Sequence, residues 1–88
     1  MFSDKEDIKA LYSLFLSLET EKDCEDLLYD LCTTKEIEQM AQRIRAAKLL
    51  ISGKTYSQVM EECVISSATL SRVSRAVQYG KGYKKFIK

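Results

Sequence analysis

The segment from Thr55 to Tyr79, TYSQVMEECVISSATLSRVSRAVQY, restricts the possible fold more than any other part of the chain. Val59, Cys63, Ile65, Leu70 and Val73 are apolar at the spacings that lock two short crossed helices together. Ser67, Ala68, Thr69, Ser71, Arg72 and Arg75 leave the second helix another face that is small, polar and positive. The pattern predicts a helix-turn-helix over residues 55–79. Two positions depart from the common form. Met60 stands mid-helix, where a small residue is usual. Val64 stands in the turn, where glycine is usual because a left-handed backbone costs it little. Either Val64 is strained and packing offsets the strain, or the turn is built differently.

The rest of the chain reads as helix throughout, with no proline and three glycines in 88 residues. Ile8, Leu11, Tyr12 and Phe15 form one apolar stripe on a helix from Asp4 to Leu18, with Ser3 or Asp4 as its cap. Leu14, Leu16 and Leu18 widen that stripe beyond what one partner helix needs. This predicts burial on two sides, as in a dimer core; a single contact within the chain is the alternative. Thr20 with Asp23 resembles a capping box and opens a helix to about Leu31, burying Leu27, Leu28 and Leu31. Thr33 with Glu36 opens a third helix, whose core face is read as Ile37, Met40, Ala41, Ile44, Ala47 and Leu50 or Ile51. Gly53 ends it. Thr55 with Gln58 caps the next helix, Ser66 or Ser67 caps the last, and Gly80 stops it. The basic tail over 80–88, GKGYKKFIK, touches phosphates, docks on the core or frays. The predicted fold class is all-α, five to six helices in one domain over 1–88.

A chain of this length buries only roughly 60–65% of its unfolded surface, so self-association would add to a thin core. No apolar run approaches the ~20 residues that cross a bilayer, which argues against a membrane protein. There is no histidine, and Cys24, Cys32 and Cys63 lack metal-ligand spacing, so no metal site is expected. The cysteines are read as reduced and mostly buried, in a cytoplasmic protein. Without histidine, a clustered acid pair or a phosphate-cradling glycine loop, no catalytic set presents itself, and an enzyme is not expected.

The charge is divided along the chain. Residues 1–38 carry eleven acids against four lysines, net −7, while residues 39–88 carry ten bases against Glu61 and Glu62, net +8. A positive half suits a phosphate backbone; two ordinary solvated faces are the alternative. Beside a helix-turn-helix, the asymmetry points to double-stranded DNA, whose major groove admits one α-helix.

The run KEIEQMAQRIRAAKLLISGKTYSQVMEECVISSATLSRVSRAVQYGKGY resembles the Trp-repressor-like proteins, in their YerC/YecD branch. The cues are Leu-Leu-x-x-Gly-Lys-Thr-Tyr, then Ser-x-Ala-Thr-Leu-Ser-Arg-Val, then Tyr-Gly-x-Gly-Tyr, together spanning roughly residues 33–83. The resemblance implies an intertwined homodimer, with dimerisation helices over about 4–32 and one reading head per chain. Such a protein would be a DNA-binding transcriptional regulator, a repressor by type. By position, Tyr56 and Ser57 would approach phosphates, and Ser67, Ala68, Thr69 and Ser71 would face bases or phosphates. Arg43, Arg45, Lys54, Arg72 and Arg75 would supply phosphate contacts.

The resemblance also places Arg43 and Arg72 at the two arginines that hold the amino acid in the tryptophan-responsive repressor. The remainder of that pocket departs from the family. Its small glycine is Val73 here and its serine is Ala76, so tryptophan is not expected as corepressor and no cofactor is implied. Arg43 and Arg72 then serve phosphates or an internal ion pair, and the effector ligand is unknown. The competing reading is a small helical protein–protein interaction module that has lost DNA binding.

Overall fold

Side-chain caps at Asp4, Thr20, Thr55 and Ser66 set helix starts in the computed structural model, which describes residues 4–87. Six α-helices occur among them: α1 (Lys5–Leu16), α2 (Glu21–Leu31), α3 (Thr34–Ile51), α4 (Tyr56–Glu62), α5 (Ser67–Tyr79) and α6 (Tyr83–Phe86). Ser3, the alternative first cap, and Lys88 lie outside the described residues. No helix among the described residues is long and apolar enough to cross a membrane. The chain divides into two compact units, Met1–Thr33 and Thr34–Lys88.

In the first unit, Asp4 caps α1 by accepting the Asp7 N–H at 2.9 Å. The helix stops at Leu16 rather than Leu18, because the Ser17 hydroxyl bonds the Leu14 carbonyl at 2.6 Å and closes the last turn. The Thr20–Asp23 capping box forms in both directions. Asp23, though shorter than glutamate, accepts from the N–H groups of both Thr20 and Glu19. On the exposed face of α2, hydrogen bonding and attraction from Asp26, then Glu25, hold the Lys22 ammonium above its ordinary pKa.

Neither helix of this unit contains a buried residue. The α1 stripe of Ile8, Leu11, Tyr12 and Phe15 is exposed within the single chain, and Leu16 reaches 85% exposure. The α2 positions read as buried are only partly so: Leu27 and Leu28 are half-buried, and Leu31 is exposed. Periodicity thus locates a face suited to burial that one chain does not bury.

The second unit has its core where α4 and α5 pack against α3. Ala46, Ala47, Val59, Cys63, Leu70 and Val73 form it. Val59 and Leu70 are the largest fully buried side chains, each contributing about 1.5–3 kcal/mol by leaving water. The face of α3 is shifted from the sequence reading. Ala46 and Ala47 are buried, with Leu49 and Leu50 packed beside them, whereas Ala41, Ile44 and Ile51 are exposed. The physical reason is size, since two adjacent alanines let another helix approach closely, and long side chains there would hold it off. Among the cysteines, only Cys63 is buried; Cys32 is half-buried and Cys24 exposed, and all three are free.

The termini of these helices follow local chemistry. Gly53 has φ +102, and α3 ends in a Schellman motif. The Lys54 N–H bonds the Leu49 carbonyl, and the Gly53 N–H bonds the Leu50 carbonyl, both at 3.0 Å. Thr55 and Gln58 form the expected reciprocal box at the start of α4. Gly80 ends α5 for a different reason: its backbone is extended, and a Cβ there would collide with the Ala76 carbonyl oxygen. The basic tail docks, with Tyr83 and Ile87 packed on the core and Lys84, Lys85 and Phe86 outward.

Candidate nucleic-acid interface

The head is α4, a short connection and α5. The connection contains no left-handed residue, since no non-glycine residue among those described has positive φ. Cys63 leaves α4 extended (φ −120, ψ 145), and Ser66 enters α5 extended (φ −75, ψ 157). Val64 is therefore unstrained in the sense the missing glycine suggests, and its side chain is 88% exposed. Its N–H, which the turn itself leaves without a partner, donates to Oε1 of Gln42 on α3 at 2.9 Å. The turn is built differently, on a side chain from another helix.

Ser66 then starts α5. Its Oγ accepts the Thr69 N–H at 3.1 Å and donates to the Thr69 hydroxyl at 3.0 Å. Leu70, Val73 and Ser74 turn inward and are buried. Ser67, Ala68, Ser71, Arg72 and Arg75 are exposed, and Thr69 is half-buried with its hydroxyl already engaged. Lys54, Tyr56 and Ser57 are exposed at the entry to α4, and Arg43 is exposed on α3.

Some of these residues converge. Arg43, Thr69 and Arg72 line one cleft of about 290 Å³, walled by Val73, Ala76 and Tyr83. Arg72 and Arg75 line another of about 350 Å³ with Tyr79. Neither cleft includes Lys54, Tyr56 or Ser57. Arg43 and Arg72 form no ion pair among the described residues. Arg45 does pair, its Nη2 lying 3.6 Å from Glu62 Oε1 at the end of α4. Two participants are given no site role by the sequence: Gln42, because its partner is 22 residues away, and Tyr83, which enters only the Tyr-Gly-x-Gly-Tyr cue and the basic tail.

Val73, at 2% exposure, is at once a core residue and a wall of the arginine cleft. Its isopropyl group occupies space that a glycine would leave for a ring, and Ala76 offers no hydroxyl. The residues present do not fit tryptophan. No group of three or more potential metal ligands occurs among the described residues.

Comparison with known proteins agrees with this architecture. The family model described as Trp repressor protein matches residues 6–88. The uncharacterised protein YerC of Bacillus subtilis (strain 168) is 39% identical over 74 residues, which are 84% of this chain and 71% of that protein. The crystal structure of a candidate Trp repressor from Staphylococcus aureus is similar at TM-score 0.88 and 35% identity, over 93% of this chain and 83% of that one. A TrpR-like protein from Eubacterium eligens is similar at TM-score 0.88 and 35% identity, over 93% and 86%.

Proposed function

The chain belongs to the Trp repressor protein family, and from that premise we propose that it is a sequence-specific DNA-binding transcriptional regulator, a repressor by type, acting as a homodimer. The observation that carries this reading is the two-sidedness of α5. Leu70 and Val73 seal one side into the core, while Ser67, Ala68, Ser71, Arg72 and Arg75 stand exposed on the other. A helix so mounted presents small polar groups and cations to a major groove while keeping Leu70 and Val73 out of water.

In this reading Arg43, Lys54, Arg72 and Arg75 contact phosphates, with Tyr56 and Ser57 approaching the backbone from α4. Ser67, Ala68, Thr69 and Ser71 meet base edges. Those four offer few bidentate contacts of the arginine–guanine kind, so base discrimination is modest and phosphate contacts supply much of the affinity. Arg45 is left out, since Glu62 engages it. The exposed stripe of α1 supports assigning residues 4–32 to dimerisation and 55–79 to reading. Two heads related by a two-fold axis, about 34 Å apart, would select a palindrome. Tryptophan is not part of the proposal, because Val73 and Ala76 replace the glycine and serine of the family's pocket.

Fluorescence anisotropy with duplexes selected from a random pool tests this. An enriched palindrome bound less tightly as salt rises is the expected result. Absence of binding at low salt, or binding indifferent to salt, sinks the proposal. The rival reading, a protein-interaction module, would draw on a strained Val64 turn and on the nearly neutral total charge; of these only the charge remains, since no non-glycine residue among those described has positive φ.

A further inference from the structure

The head is tied to α3 at its turn. Gln42 and Arg45 lie three residues apart on α3 and so share a face. Gln42 Oε1 accepts the Val64 N–H at 2.9 Å, and Arg45 Nη2 lies 3.6 Å from Glu62 Oε1. One face of α3 thereby holds both the last residue of α4 and the middle of the connection, immediately before the Ser66 cap of α5. The other side-chain hydrogen bonds described above join residues three or four apart; the Gln42 bond joins residues 22 apart. Its orientation is unambiguous, because a backbone N–H can only meet the oxygen of the amide.

The two ties differ in consequence. Arg45 and Glu62 are an exposed pair, at 54% and 41%, that water and salt screen. Gln42 is half-buried and meets a backbone group, so it constrains the path of the chain itself. In helix-turn-helix units the turn commonly contains glycine, and a left-handed backbone there directs the second helix. This chain lacks both the glycine and any positive φ in the connection.

We propose that Gln42 is a positioning residue for DNA reading: by holding the Val64 N–H it sets the pitch of α5 against α3, in place of a turn glycine. This rests on the DNA-binding reading above. Gln42 itself need not touch DNA. Its loss alters how well Ser67, Ala68, Thr69 and Ser71 register with base edges, while removing no cation.

The test compares the full-length wild type with Gln42→Met, which keeps the length without the acceptor, and Gln42→Glu, which keeps an acceptor oxygen. Three quantities are read: exchange of the Val64 amide, the orientation of α5 relative to α3 from residual dipolar couplings, and the ratio of affinities for selected and shuffled duplexes. Gln42→Met should speed Val64 exchange, reorient α5 and lower the affinity ratio by about two- to tenfold, the worth of one hydrogen bond. Its affinity for shuffled DNA and its salt slope should not change, because all phosphate-binding cations remain. Gln42→Glu should restore all three readings, the ratio dividing out the charge it adds. The proposal is overturned if Gln42→Met keeps the wild-type ratio, or if Gln42→Glu loses it equally. Should wild type itself not distinguish the duplexes, the DNA-binding reading fails separately. The couplings then decide: a reoriented α5 in Gln42→Met upholds the positioning role, and an unmoved one refutes it.

Discussion

Replacing Val64 by glycine separates two pictures of the turn by the sign of its effect. Were Val64 left-handed, glycine would relieve about 1–2 kcal/mol of backbone strain and stabilise the protein. No positive φ occurs there, so no strain is available for release. The Val64 side chain is 88% exposed, so its removal sacrifices little buried surface. The hydrogen bond to Gln42 uses the backbone N–H and survives the substitution. What remains is the larger conformational freedom glycine gives the unfolded chain, a loss of about 0.5–1 kcal/mol. In a domain of this size that lowers Tm by about 2–8 °C, taking 4–8 °C per kcal/mol. Urea unfolding followed by helical circular dichroism, at one fixed protein concentration, should give a lower midpoint with an unchanged slope. A higher midpoint for Val64→Gly would refute the turn described above.

Leu70→Ala empties a fully buried site and should cost about 2–5 kcal/mol in the same urea assay, a large part of a small domain's stability. Gly80→Ala drives a Cβ into the Ala76 carbonyl and should cost about 1–3 kcal/mol, whereas Gly82→Ala meets nothing and should stay within about 0.5 kcal/mol; equal losses would contradict the packing at Gly80. Phe15→Glu, in the exposed stripe of α1, should shift sedimentation from dimer to monomer, and an unchanged dimer removes α1 from the interface. Arg43→Ala combined with Arg72→Ala should reduce the slope of log K against log salt by about 2, one for each lost phosphate contact, as read by anisotropy.

The parts of this fold legible in the sequence are those decided within a few residues. The boxes at Thr20 and Thr55, the cap at Ser66 and the left-handed stop at Gly53 each need only a neighbour three to five positions away. The head's core was legible too, as Val59, Cys63, Leu70 and Val73 follow a helical repeat. The face of α3 was legible only in part, with Ala47 and Leu50 where periodicity puts them and Ala46 where it does not. Its bulky positions Ile44 and Ile51 outrank alanine in hydrophobicity, yet closeness of approach selects Ala46 and Ala47 for burial. Gln42 carries no local signal, because what it supplies is defined by a backbone group 22 residues on.

Hydrophobic periodicity reports the burial of the functional assembly, whereas one chain shows only the burial it achieves alone. In the second unit the two coincide, which is why the head's core reads true. In the first they diverge. Fully burying a residue the size of Leu or Phe is worth about 1.5–3 kcal/mol, and α1 leaves Ile8, Leu11, Leu14 and Phe15 each more than a third exposed. A helix well capped at Asp4, with acids in its first turn, is set up locally to form, so its exposed stripe is not a failure of helix formation. In the proposed dimer the burial that periodicity anticipates comes from the second copy, which offers the same stripe in return. There Val73 closes the head within one chain, and the α1 stripe is the surface the second copy would cover.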